Sequence, residues 1–157
     1  MLFSEHVYKF MFSALQEAEK CLETDDVPIG AVVVYKNRII GRGNNQVERL
    51  KDPTAHAEIL AITAACNHLQ SKVLSDCDLY VTVEPCVMCT GALMLSRINN
   101  LYFSVFEPKF GACGSLYNIP EENKLNHKLN VYSGIYQDES KNLLQEFFKG
   151  IRVKSNS

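Results

Sequence analysis

Apolar positions along the chain change period several times, and each change marks an element. Val7, Phe10, Met11, Ala14, Ala18, Cys21 and Leu22 recur every three or four residues, with Lys9, Ser13, Glu17 and Lys20 elsewhere, which predicts a first amphipathic helix capped at Ser4. Asp25-Asp26-Val27-Pro28 ends it. The β-branched run Ile29 to Tyr35 reads as a strand, Lys36-Asn37 as a tight turn, and Arg38 to Gly41 as the returning strand. Asn44 to Pro53 is polar and reads as irregular. A second helix is expected from near Thr54 to about Leu69. Its apolar residues (Ile59, Leu60, Ile62, Cys66, Leu69) fall on several faces, as in a helix sandwiched between other elements. Leu79 to Glu84 reads as a third strand. Pro85 stands where a first helical residue would, since its missing N–H costs nothing there, and the helix it opens reaches Ser96. Asn100 to Val105 is a fourth strand and Leu129 to Tyr132 a short fifth. Asp138 caps a last helix whose Leu143, Leu144, Phe147 and Phe148 face inward and whose end suits Gly150. Strands alternating with helices predict an α/β fold: a three-layer α/β/α sandwich with a single mixed five-stranded sheet, in one domain spanning 1–157.

Composition narrows what that domain does. With 46% hydrophobic and 22% charged residues the chain is globular rather than disordered. Sixteen Lys and Arg against eighteen Asp and Glu give a net charge of −2, so no global basic field draws in a nucleic acid; such a partner needs a local patch. No apolar run approaches the roughly 20 residues of a membrane span. The first residues lack a basic region and carry Glu5, so no signal peptide is expected and the compartment reads as the cytoplasm. Six cysteines therefore do not read as a disulfide framework. Cys21 and Cys66 fall on apolar helix faces as small buried hydrophobes, whereas Cys77 and Cys113 lie in expected loops with no role legible.

The remaining two cysteines carry chemistry. Cys86 and Cys89, three apart in a first helical turn, can reach one ion, and the positive end of a helix favours the thiolates a metal requires. A second Cys-x-x-Cys, needed to close a structural site, does not exist, and a redox pair would need no His-x-Glu upstream. His56, at the start of a helix just after a loop, supplies a third ligand; His6, His68 and His127 have no comparable partners. Zinc held by one imidazole and two thiolates keeps its fourth position open for water. Glu58, two residues from His56 and about 200° around a helix from it, reads as no ligand but as a carboxylate flanking that water. Two thiolates cancel the ion's charge, so the water needs a local base, and such acid–base help is typically worth about 10²- to 10⁴-fold.

His-x-Glu followed by Pro-Cys-x-x-Cys is the signature of zinc nucleobase deaminases. The flanking runs go further. Asp52 to Ile59, Tyr80 to Cys89, Ser96-Arg97-Ile98, Gly111 to Ser115, Asn126-His127 and the Phe147-Phe148 helix together resemble the bacterial tRNA-specific adenosine deaminases of the cytidine deaminase-like superfamily, in order, from Pro28-Ile29-Gly30 to about Arg152. The resemblance implies a cytidine deaminase-like fold and a homodimer that converts adenosine to inosine at the wobble position of a tRNA anticodon stem-loop. It also implies one Zn2+ per subunit on His56, Cys86 and Cys89, with Glu58 shuttling protons, Asn45 contacting the base and the backbone N–H of Ala57 facing the purine. One stretch departs from the family, which usually has Asp-Pro-Lys followed by a small residue. Here Glu107-Pro108-Lys109-Phe110 follows Phe106. These two rings either stack on nucleotides or pack under the loop or at the dimer contact. Lys149, Arg152 and Lys154 make the tail basic, with Arg97, Lys109 and Lys128 before it; this is either a phosphate contact or a solvated helix end.

Three other readings stand beside this one. The same chemistry could serve a free nucleobase or nucleoside, guanine or cytosine among them. A zinc-stabilised RNA-binding module would have no turnover, which leaves Glu58 without a purpose. A disulfide-stapled extracellular domain would require paired thiols.

Overall fold

The computed structural model describes residues 2–156, with the side chains of Arg152, Val153, Ser155 and Asn156 outside the described part. β1 (Gly30–Tyr35) and β2 (Arg38–Asn44) form a hairpin closed by Lys36 and Asn37, both at positive φ (47° and 63°), the backbone of a turn whose twist matches its strands. β3 (Cys77–Val83), β4 (Asn100–Val105) and β5 (Asn130–Ser133) complete one sheet in the order β2-β1-β3-β4-β5. β1 lies antiparallel to β2 and β3, whereas β3, β4 and β5 are mutually parallel, so the sheet is mixed, as expected.

Alternate side chains feed two cores. Ala31 and Val33 of β1 point to one, with Leu79, Val81, Leu101 and Phe103; Val32 and Val34 point to the other. α3 (Ala57–Leu69) and α4 (Val87–Leu95) cover the first face. α1 (Glu5–Glu19) covers the second with Val7, Phe10, Met11 and Ala14. α5 (Gln137–Asn156) docks on that side through Ser140, whose buried hydroxyl donates to the Thr82 carbonyl at 2.6 Å. This is the three-layer α/β/α sandwich.

Several boundaries differ from expectation, each for a physical reason. Ser4 is the N-cap of α1 by its backbone, without a side-chain capping bond, and Leu22 beyond the helix is exposed. The stretch 44–53 is not wholly irregular: β2 runs on to Asn44, and α2 (Val47–Leu50) follows. The fully buried Asp26 carboxylate accepts the N–H groups of Glu48 (2.6 Å) and Arg49 (3.3 Å), so this short helix is capped from 22 residues upstream. α3 starts at Ala57 rather than near Thr54, because Asp52 takes both the N–H and the hydroxyl of Thr54 and holds a turn there. α3 is not sandwiched either. Its buried apolar residues are Ala57, Ala61 and Ala65, while Ile59, Leu60, Ile62 and Cys66 are only half-buried.

Pro85 is not the first helical residue; Cys86 is the N-cap of α4, extended at ψ 179° and bridged to Gly111. Cys77 opens β3 instead of lying in a loop, and both it and Cys113 are buried. Gly150 does not end α5, which continues to Asn156, since a helical glycine weakens a helix without stopping it. The apolar stripe of α5 is half-open: Phe148 and Ile151 are exposed. Among the described residues, no helix is long and apolar enough to cross a membrane. All six cysteines are unpaired in the structure, so the disulfide-stapled reading gains no support from it.

One contact sets the depth of α3. A Cβ on Gly43 would stand 2.2 Å from the Ala57 carbonyl oxygen, and one on Gly41 2.3 Å from that of Ala61. Helix backbone therefore rests on strand backbone, with room for hydrogen alone. Gly43→Ala is expected to lower unfolding free energy by about 1–3 kcal/mol, read from urea denaturation, since the helix must lift. Gly150→Ala, with nothing within 4 Å, should raise it by about 0.4–1 kcal/mol.

Candidate metal centre and active site

The close seating of α3 delivers its N-cap, His56, to the N-terminus of α4. His56 is extended (φ −77°, ψ 152°) and not helical, so the expected 200° offset from Glu58 does not apply. Cap and first turn instead turn their side chains into one cavity. His56 Nδ1 lies 3.7 Å from Cys86 Sγ and 3.5 Å from Cys89 Sγ, and all three donor atoms fall within 4.8 Å of one another. Four-coordinate zinc, with Zn–S near 2.3 Å and Zn–N near 2.0 Å, spaces neighbouring N and S ligands about 3.5 Å apart. The donor set therefore fits such an ion in kind and in spacing. Among the described residues, no other group of three or more His, Cys, Asp or Glu is gathered in this way.

The local electrostatics agree. Cys89 donates to Cys86, which with a bond from the imidazole holds the Cys86 thiol down at about 4. The same shared proton, with burial second, pushes Cys89 up. His56 is held above its usual range first by its bond to Cys86, and the Pro53 carbonyl also bonds the ring. A cation between the sulfurs does for both what one proton does for a single sulfur. The N-termini of α3 and α4 converge here, so both positive helix ends favour thiolate.

Glu58, in the first turn of α3, is 4% exposed, and burial pushes its carboxyl up to about 7. It lines a cavity of about 430 Å3 with His56, Ala57, Cys86, Asn45 and Phe110. The structure thus brings every expected site residue to one place. Asn45 is held by its own amide, which donates to the Val27 carbonyl and accepts the Val47 N–H, each at 3.2 Å. One N–H and one lone pair stay available to a ligand. His127 is structural: its Nε2 sits 2.6 Å from the Ile98 carbonyl. Lys154 of the basic tail pairs with Asp25 at 3.0 Å, and the Arg152 side chain lies outside the described residues.

A second carboxylate at the site was not singled out from the sequence. Glu84 is 4% exposed and lies between β3 and Cys86. It accepts the N–H of Glu107 (2.9 Å), the N–H groups of Cys113 and Ser115 (both 3.0 Å), and the Ser115 hydroxyl. Gly111 makes this possible, since a Cβ there would meet the carboxylate at 2.3 Å. Glu84 thereby ties the loop after β4 to the strand that presents Cys86. A charged residue ending an apolar strand was the available signal, because a buried charge needs partners.

A family model for MafB19-like deaminases matches residues 5–152. A tRNA-specific adenosine deaminase of Aquifex aeolicus is 48% identical over 143 residues, 91% of this chain and 94% of that protein. One of Bacillus subtilis is 42% identical over 148 residues, covering 94% and 92%. A solved structure from work on A-to-I editing by tRNA:A34 deaminases at the wobble position of transfer RNA superposes with a TM-score of 0.84. It is 44% identical and covers 87% of this chain and 99% of its own. A guanine deaminase from Nitrosomonas europaea is more distant, at 27% identity and a TM-score of 0.74, covering 89% and 83%.

Two variants separate ligand from scaffold. Cys86→Ser should lose bound metal, measured by elemental analysis of the purified protein. Glu84→Gln should keep its metal and lose about 1–3 kcal/mol in urea unfolding, because an amide cannot accept at both oxygens and a buried N–H is left unmatched.

Proposed function

The chain belongs to the MafB19-like deaminases and, among them, to the tRNA-specific adenosine deaminases, and from that premise we propose that it is a zinc enzyme which hydrolyses adenosine to inosine at the wobble position of a tRNA anticodon. The observation that carries the reading is the convergence of His56, Cys86 and Cys89 beside buried Glu58 in one cavity, in a chain 48% identical to such an enzyme.

His56, Cys86 and Cys89 would hold the zinc, one ion per subunit. When bound, zinc supplies the Lewis acidity that makes water a nucleophile near neutral pH. Glu58 then moves the protons. Its carboxylate would take the two protons of the attacking water in turn, handing the first to the purine ring nitrogen and the second to the departing amine, so that adenosine and water become inosine and ammonia. Burial suits that task, since a group poised near the working pH both accepts and gives. Asn45 offers its spare N–H and lone pair to the base, and Ala57, at the first turn of α3, offers its backbone N–H. The target base leaves its stack to reach the cavity, which costs less in an anticodon loop than in a duplex. A homodimer in the cytoplasm completes the reading; the half-buried apolar face of α3 (Ile59, Leu60, Ile62) is suited to a second subunit.

The test is incubation of zinc-loaded enzyme with a tRNA anticodon stem-loop, followed by sequencing for adenine read as guanine. Free guanine, cytosine and nucleosides are assayed alongside for ammonia release. Inosine at the wobble position is expected. Ammonia from a free base with no inosine would shift the reading to the alternative substrate. Glu58→Ala should retain zinc and fold while turnover falls by about 10²- to 10⁴-fold; an undiminished rate would remove Glu58 from the mechanism.

A further inference from the structure

A cavity of about 430 Å3 sits low in the size range of small-molecule pockets, roughly 300–1,000 Å3. One flipped base occupies it. The neighbouring nucleotides would lie across the mouth, which the loop from Phe106 to Ser115 borders with Glu107 and Phe110. Its two phenylalanines stand in different circumstances. Phe106 packs edge-on against buried Phe103, with ring centroids 5.1 Å apart and planes at 85°, and one of its ring carbons would lie 3.3 Å from a Cβ on Gly114. That ring, although 53% exposed, rests one edge on the sheet and helps to hold the loop there. Phe110 lines the cavity, yet it is 67% exposed, and it has no ring partner among the described residues.

Looseness does not explain an apolar ring left in water here. The Phe110 N–H donates to the Glu107 carboxylate, and the Gly111 N–H to the Glu107 carbonyl at 2.8 Å. Glu107, Cys113 and Ser115 are in turn bound through their N–H groups to Glu84. The backbone on both sides of Phe110 is therefore fixed to Glu84, two residues before Cys86, and the loop cannot carry the ring away from the cavity without breaking bonds to two carboxylates. The point from which the ring projects, relative to His56 and Glu58, is set before any ligand arrives.

We propose that Phe110 is a substrate-binding residue whose ring is the stacking platform for a base adjacent to the target adenosine; this rests on the reading of the chain as a tRNA adenosine deaminase. Every base offers a π face, so the platform adds affinity and orients the strand without selecting a sequence. Because the loop backbone is already held, stacking orders only the two side-chain torsions of the ring.

The test uses the zinc-loaded enzyme and anticodon stem-loops carrying 2-aminopurine on one side or the other of the target adenosine. Binding of the unsubstituted enzyme should quench fluorescence at one of the two positions. Phe110→Ala and Phe110→Leu should abolish the quench and raise KM by about 5- to 150-fold, the equivalent of losing one base–aromatic stack, with kcat largely kept. Phe110→Tyr should restore both. The proposal is overturned if the Ala and Leu variants bind and quench like the parent. It is equally overturned if Phe110→Ala splits a dimer, seen by sedimentation, while the quench persists, for the ring then belongs to a subunit contact. A parent enzyme that forms no inosine would defeat the activity reading itself; inosine formed equally well by Phe110→Ala would defeat the stack alone.

Discussion

The site depends on a bare backbone contact. Gly41 and Gly43 present β2 to α3 with no side chain between them, and Ala57 and Ala61 meet them with carbonyls. The N-terminus of α3 is placed at that depth or not at all. His56 precedes Cys86 by 30 residues in the chain yet lies 3.7 Å from its sulfur, and buried Glu58 lines the same cavity. A methyl group on either glycine would lift the helix, and donor spacing tolerates little movement, since metal–ligand distances are defined to about 0.2 Å. Packing at a distance from the chemistry thus sets the chemistry.

On the other side of the site, Glu84 performs the matching task with hydrogen bonds. Its two oxygens gather three backbone N–H groups and a hydroxyl from Glu107, Cys113 and Ser115. Pro85 and Cys86 follow it directly, and they pair back onto the same loop through the Ala112 N–H to Pro85 carbonyl bond and the Cys86–Gly111 bridge. The donor cysteine and the cavity rim are consequently parts of one rigid unit. A buried carboxylate with full hydrogen bonding is costly only when a partner is lost. Such a group is suited to hold a substrate-facing loop in a single arrangement.

Most of this was legible where the signal is local. Sequence patterns found all five strands and the four long helices, and ligand chemistry singled out His56, Cys86 and Cys89, which lie within 4.8 Å of one another, and Glu58, which lines the same cavity. What escaped was non-local. α2 exists because Asp26, 22 residues earlier, caps it, and nothing within Asn44 to Pro53 announces that. The apolar residues of α3 suggested burial on several faces, but the glycines of β2 select the small alanine face and leave Ile59, Leu60 and Ile62 half-open. Glu84 looked like the polar end of a strand because its partners lie 23 to 31 residues ahead. Cys77 looked like a loop residue because Ser75 and Asp76 before it and Asp78 after it hide the start of an otherwise apolar strand.

The balance of charge gives the rim its importance. A chain of net charge −2 approaching a polyanion gains nothing from its overall field. Part of the basic tail is already engaged, with Lys154 paired to Asp25. Phosphate contacts are in any case salt-sensitive and indifferent to which nucleotide enters the cavity. A purine that must leave its stack needs its neighbours held still while it turns, and an aromatic face does this without charge. Phe110, on a loop braced by Glu84 and Glu107, would supply stacking at the cavity mouth where the chain's net charge supplies no Coulomb attraction. His56, Cys86, Cys89 and Glu58 would then meet a base whose approach is already defined.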